Sequence, residues 1–214
     1  MPSRFLCNDM QREGAKPSPA LASTLFCYVP LHNICHGIYN VPMSKLVIIC
    51  GISFAGKSTL GEAITQRFGY VQVDVDDMKF HLFGPDSKDE ELSRADWVRI
   101  YHETDKLMES YLQSGKTVID ASRNFRKQER QLARQIATQL NAEVVTILVD
   151  TPVGIAQKRL LENREKQSRL DVTDQDFETI LQVWEPPTAD ETPLVFRYSD
   201  QIDTWIAKNI SAIS

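Results

Sequence analysis

One eight-residue segment constrains this chain more than any other. Residues 51–58 read GISFAGKS and follow directly on the apolar run LVIIC at 46–50. A short, continuous run rich in β-branched residues is what a strand covered on both faces needs. Residues 58–68 then read as a helix, with Gly69 placed to end it. The pattern GxxxxGK[ST] between a strand and a helix is a phosphate-binding loop. Gly51 and Gly56 let the backbone turn so that successive N–H groups face an anion, and the helix presents its positive end to the same point. Ile52, Ser53, Phe54 and Ala55 form the rest of the cradle. In this arrangement Lys57 reaches the β- and γ-phosphates, and Ser58 ligates Mg²⁺ with Thr59 beside it. ATP and Mg²⁺ are the cofactors implied.

The loop sits at the head of an alternation of strands and helices. Further strands are predicted over 70–75, 117–120, 144–149 and 194–198. Helices are predicted over 90–113, 127–140, 153–165, 173–184 and 201–210. Thr173 suits an N-cap, and Pro186-Pro187 stop the helix before them. Strands separated by helices pair in parallel through crossovers. The expected fold is α/β: a three-layer domain with a five-stranded, mainly parallel sheet and a helical lid and acceptor region. Ligands of such sheets gather at the carboxyl ends of the strands, so residues just after each strand are the ones to examine.

Composition narrows the partners. The 214 residues carry a formal net charge of -5, against the basic excess of a protein built to grip nucleic acid over a wide surface. No apolar run approaches the length that spans a bilayer. The four cysteines, Cys7, Cys27, Cys35 and Cys50, form no CxxC pair, which suits a reduced cytoplasmic setting. Residues 1–42 hold five prolines and no sustained period, and read as a poorly ordered N-terminal extension ahead of a domain over 43–214. Their Cys and His residues match no zinc spacing.

The second strand runs into VDVDDMK, placing Asp74, Asp76, Asp77 and Lys79 where they face the γ-phosphate. A carboxylate there can accept the proton of an attacking hydroxyl. An acidic loop that merely starts a helix is the competing account. Neither a guanine-reading NKxD nor a DxxG after the third strand is present, and the chain is short for a motor. A kinase is the class that remains.

The phosphate loop, the DDMK step, the third strand ending VIDAS and the later Arg-rich stretch together resemble the P-loop kinases that include phage polynucleotide kinase, zeta toxins and chloramphenicol phosphotransferase. The resemblance extends over 44–210 and is nearest to the "predicted kinase" members of that group. It implies that Asp76 is the general base and that Lys79 stands where these kinases often have arginine, without arginine's planar fork. Asp120, ending the third strand, would hold Mg²⁺ through water or touch the acceptor, unless it only caps a helix. Arg123, Asn124 and Arg126 fall where the group places acceptor contacts. Lys158, Arg159, Arg164, Lys166 and Arg169 fall in its lid, where arginines such as Arg159 and Arg164 close over the nucleotide phosphates or stack on adenine; a solvated helix face is the alternative. Trp97 and Tyr101 belong to the helix expected to wall the acceptor pocket, where packing is the better account of the two. Trp184-Glu-Pro-Pro matches a family element with no evident mechanism. The function implied is ATP-dependent phosphorylation of a hydroxyl on a small molecule. A nucleic-acid end kinase and a non-catalytic, nucleotide-dependent binding module are the alternatives.

Overall fold

A computed structural model describes residues 44–167 and 170–214 of the chain. The expected extension over 1–42, with three of the cysteines, lies outside the described residues, as does Arg169. The described chain builds five strands: β1 (Lys45–Cys50), β2 (Val71–Val73), β3 (Val118–Asp120), β4 (Glu143–Asp150) and β5 (Leu194–Arg197). They form one sheet in the order β2-β3-β1-β4-β5, with every pairing parallel. The strand preceding the phosphate loop is therefore central, which is why its six residues are all buried.

Side-chain alternation along β1 divides the molecule into layers. Val47 and Ile49 join one core, with Leu60 and Ile64 of α1 (Lys57–Phe68) and Leu160 of α5 (Val153–Lys166). The same core takes Phe177 of α6 (Asp174–Val183), Trp205 and Ile206 of α7 (Ile202–Lys208) and Ile213 of α8 (Ile210–Ile213). Leu46 and Ile48 point to the other face. There they meet Met108 and Leu112 of α3 (Arg94–Gln113) and Ala133 and Ala137 of α4 (Lys127–Gln139). The period of two in the strand thus supplies both cores from one run of sequence.

The structure departs from the sequence expectation at the second strand. β2 stops at Val73, and the Asp74 side chain accepts a hydrogen bond from the Asp76 N–H at 2.7 Å. Asp74 thereby caps α2 (Val75–Phe83), so Asp76, Asp77 and Lys79 ride on a helix, not on a strand end. Val71, Val73 and Val75 keep strand-like alternation, but the favourable Asp N-cap turns the chain one residue before Val75, which is buried in the first turn. α3 also starts later than expected, at a capping box between Ser93 and Asp96. A 3₁₀ turn over Asp89–Glu91 precedes it. Among the described residues no helix is long and apolar enough to cross a membrane.

Candidate active site

The phosphate loop joins the end of β1 to α1. Gly51 passes so close to the sheet that a Cβ there would lie 2.9 Å from the Val149 carbonyl oxygen, closer than side chains approach. Gly56 N-caps α1 with a φ of 111°, open to glycine without strain. Phe54 takes a positive φ of 58° within the same turn. Lys57 is buried, and its Nζ donates to the carbonyls of Gly51 and Ile52, each at 3.0 Å. Arg159 Nη1 donates to the Phe54 carbonyl at 3.2 Å and the Ala55 carbonyl at 2.7 Å. Thr151 Oγ1 adds a donor to Ala55 at 2.9 Å. Three side chains from separate elements thus tether the carbonyls of one short loop. Burial pushes the Lys57 ammonium down to about 8, opposed by the negative charge of Asp74. Its Nζ lies 4.8 Å from the centre of the Phe125 ring. Ser58 is half-buried in the first turn of α1, with Thr59 exposed next to it.

A cavity of about 720 Å³ adjoins the loop on the β5 side. Phe54, Thr59, Arg159, Asn163, Tyr198 and Gln201 are among the residues lining it. It is open to the phosphate loop at Gly56 and walled by the helix that carries Arg159, which suits a nucleoside beside its own phosphates.

On the other side of the loop lies the acidic turn. Asp74 is half-buried, and burial lifts its carboxyl to about 6, with Asp76, Asp77 and Asp120 raising it further and the Asp76 N–H opposing. Asp76 is half exposed, yet the surrounding protein still raises its carboxyl above the usual range by desolvation, with Lys79 acting against the shift. Lys79 is buried and donates to Asp89 Oδ1 at 2.7 Å, with Asp76 Oδ1 at 3.7 Å. These contacts join α2 to the 3₁₀ turn that follows it.

Asp120 closes β3 and is fully buried. Its Oδ2 accepts from Arg123 Nε at 3.1 Å, and Oδ1 has no hydrogen-bond partner. Arg123 Nη2 donates to Asp105 of α3, and the guanidinium lies 6.0 Å from the Tyr101 ring. Trp97 stacks on Tyr101 at 5.9 Å. Asn124 is fully buried at a φ of 80°, bonding back to the Asp120 carbonyl at 3.4 Å. Arg126 is half-buried at the N-terminus of α4, and its N–H donates to Glu129 at 3.2 Å. Among the described residues no group of three or more His, Cys, Asp or Glu forms a self-contained metal cage. One buried carboxylate oxygen without a donor and a serine at the loop are still a donor set that Mg²⁺ accepts, because this ion keeps waters and substrate phosphates as its other ligands.

The structure separates the two lid arginines. Arg159 lies on the phosphate loop. Arg164, about one and a half turns of α5 further from β4, pairs with Asp174 at 2.8 Å and Asp171 at 3.2 Å and donates to the Val172 carbonyl at 2.9 Å. Lys158 is exposed, 3.9 Å from Glu162, as on an ordinary solvated helix face. Lys166 helps to line the cavity.

Several contributors escape sequence reasoning. The Trp184-Glu-Pro-Pro segment gains a physical role as a strap: Glu185 N–H donates to the Phe125 carbonyl at 2.9 Å, and Glu185 Oε2 accepts from the Lys127 N–H at 2.7 Å. It pins the loop whose Phe125 ring faces Lys57. Beneath it, Arg130 and Glu191 form a buried bidentate pair at 2.7 and 2.9 Å, and Arg130 Nη1 donates to the Asn124 carbonyl. Thr188 and Glu191 form a capping box, and their spacing is the only sequence signal for this anchor.

A central strand, a phosphate loop with its buried lysine, and carboxylates at the ends of the next two strands define a P-loop nucleotide-binding protein of the kinase-like kind. The chain belongs to the family described as AAA domain (AAA_33), whose model matches residues 46–187. No match exists among curated proteins. Solved structures share the fold. A candidate kinase from Chloroflexus aurantiacus is 20% identical with a TM-score of 0.63, over 81% of this chain and 99% of that one. The APS kinase CysC of Mycobacterium tuberculosis, solved with AMPPNP and APS, is 18% identical with a TM-score of 0.58, over 79% and 97%. A chain of the Pnkp1/Rnl/Hen1 RNA repair complex is 24% identical with a TM-score of 0.57, over 66% of this chain and 44% of that one.

Proposed function

We propose that this protein is an ATP-dependent phosphotransferase that moves the γ-phosphoryl of Mg·ATP to a hydroxyl of a small molecule, with Asp76 as general base. The observation that carries the reading is the sheet order: β2, β3 and β1 lie side by side in parallel, so the acidic turn after Val73, Asp120 at the end of β3 and the phosphate loop after Cys50 all leave the same edge of the sheet. The acidic turn and the phosphate loop therefore border one cleft. In it, Asp76 takes the proton from the acceptor hydroxyl as that oxygen bonds to the γ-phosphorus, and the bond to the β-bridging oxygen breaks to release ADP. Lys57 compensates charge on the transferring group, and Arg159 keeps the loop in its phosphate-binding shape. Asp74 acts through Asp76, since its cap hydrogen bond fixes the first turn of α2. Ser58 and Asp120 would hold Mg²⁺, which supplies charge neutralisation on the phosphates. Arg164 joins the site if lid movement exchanges its partners Asp171 and Asp174 for phosphate, and Arg123, Asn124, Arg126 and Lys79 shape the acceptor side. A cytoplasmic setting accords with the buried, unpaired thiol of Cys50.

The test is transfer of label from γ-labelled Mg·ATP into fractionated cell extract, split into small metabolites and nucleic acids. Wild type is expected to label the metabolite fraction. Asp76→Asn should bind ATP normally yet lose transfer by about 10²–10⁴-fold, while Lys57→Ala weakens both. Substantial transfer by Asp76→Asn would refute the base assignment.

A further inference from the structure

We propose that Phe125 is a positioning residue of the phosphate site. Its ring holds the Lys57 ammonium at the loop without neutralising it, so the charge stays available to nucleotide phosphates. This rests on the reading of residues 51–58 as a nucleotide site and deepens it. The other buried basic side chains among the described residues each pair with a carboxylate. Lys45 pairs with Glu143 at 3.4 Å, Lys79 with Asp89 at 2.7 Å, Arg123 with Asp120 at 3.1 Å and Arg130 with Glu191 at 2.7 Å. Lys57 is equally buried and pairs with no carboxylate among the described residues. Its Nζ donates to the Gly51 and Ile52 carbonyls at 3.0 Å each and faces the Phe125 ring, 4.8 Å from its centre.

A carboxylate beside Lys57 would stabilise the buried ammonium, but an incoming phosphate would then have to displace it and leave it unpaired. An aromatic face attracts a cation through its quadrupole, more strongly where water is excluded, and carries no charge to be displaced. Two of the three ammonium protons go to the loop carbonyls, which leaves the third for a ligand. The ring itself is held from two sides. The Phe125 N–H donates to Glu129 of α4 at 2.9 Å, and its carbonyl accepts from the Glu185 N–H of the strap at 2.9 Å. Asn124 before it is fully buried at a φ of 80°, with its carbonyl held by Arg130 Nη1 at 3.2 Å. A ring fixed in this way settles the long lysine stem before any nucleotide arrives, and so removes part of the ordering cost of binding. The strap over 184–187 thereby acquires a purpose at the phosphate site.

The experiment titrates the full chain calorimetrically with AMPPNP in the presence of Mg²⁺, and with AMP, which lacks the β- and γ-phosphates. Phe125→Leu and Phe125→Met keep apolar bulk without a ring, and Phe125→Tyr keeps the ring. The variants without a ring should bind AMPPNP about three- to tenfold more weakly, as expected when one long side chain must be ordered on binding. Their affinity for AMP should stay within about twofold of wild type, and Phe125→Tyr should recover AMPPNP binding to the same margin. A double-mutant cycle separates this role from general support of the loop. Lys57→Met weakens AMPPNP binding by itself, and adding Phe125→Leu to it should cost no more than about twofold further. Unchanged AMPPNP affinity in the variants without a ring, an equal loss for AMP, an equal loss in the Lys57→Met background, or no recovery in Phe125→Tyr would overturn the proposal and leave the nucleotide site standing. Failure of the wild type to bind AMPPNP would bring down the nucleotide site, and the role of Phe125 with it.

Discussion

Lys57 offers a direct test of whether the phosphate loop works as its geometry implies. In the free protein, burial brings its ammonium down to about 8, so the side chain loses its proton within the range of ordinary buffers. A bound polyphosphate places negative charge against Nζ and raises that value again. Binding must then draw a proton from solvent wherever free Lys57 is partly neutral. At about pH 8.5 the free ammonium is roughly one quarter protonated, so binding should take up about three quarters of a proton. Near pH 7 the uptake falls to about one tenth. The apparent affinity should weaken about tenfold between about pH 7 and pH 9, because a larger share of free molecules must first be protonated. Titration calorimetry with an ATP analogue in two buffers of different ionisation enthalpy reads the uptake directly. Lys57→Arg, always charged, should bind with no uptake in this range. Uptake near zero at pH 8.5 in wild type, or equal uptake in Lys57→Arg, would refute the reasoning.

Three further outcomes follow from the packing. Asp74 has its carboxyl raised to about 6 from the ordinary 3.8, so its ionised form weakens the fold, a penalty absent near pH 4 and complete above pH 6. Asp74→Asn keeps a capping side chain and should raise stability by about 1–3 kcal/mol at neutral pH, with the gain vanishing in acid, as read from urea midpoints. Glu191→Ala strands the buried Arg130 guanidinium and should cost about 3–5 kcal/mol in the same measurement. Gly51→Ala forces a methyl to 2.9 Å from the Val149 carbonyl, so the loop must shift; nucleotide affinity by equilibrium dialysis should fall about tenfold or more.

How far the sequence carried the argument differs from residue to residue. LVIIC followed by GISFAGKS sufficed for a buried central strand, a tight anion-binding turn and a helix, because each depends on neighbours in the chain: β-branched bulk, glycine freedom and the positive end of a helix. The parallel sheet was legible for the same local reason, through alternating strand and helix periods. The acidic turn was legible in composition but not in shape. Val71, Val73 and Val75 advertise a strand, and only the Asp74 cap, a competition between two local preferences, settles that Asp76 starts a helix.

What tertiary structure alone decided is the pairing of charges distant in sequence. Arg130 and Glu191 are 61 residues apart, and Arg159 reaches a loop more than a hundred residues before it. Basic residues look alike in a sequence. Whether one is free to meet a phosphate, as its position in a motif suggests, or is already held by a carboxylate depends on which segments the sheet brings together. By that measure Arg159 stands at the phosphate loop while Arg164 answers to Asp174, and Lys79 and Arg123 are committed within the protein. The sequence by itself determined where nucleotide phosphates belong, because that site is made by contiguous backbone. The charge balance around the acidic turn came only with the fold, because it is summed over α2, the 3₁₀ turn after it, α3 and the end of β3, and no single stretch of chain contains that sum.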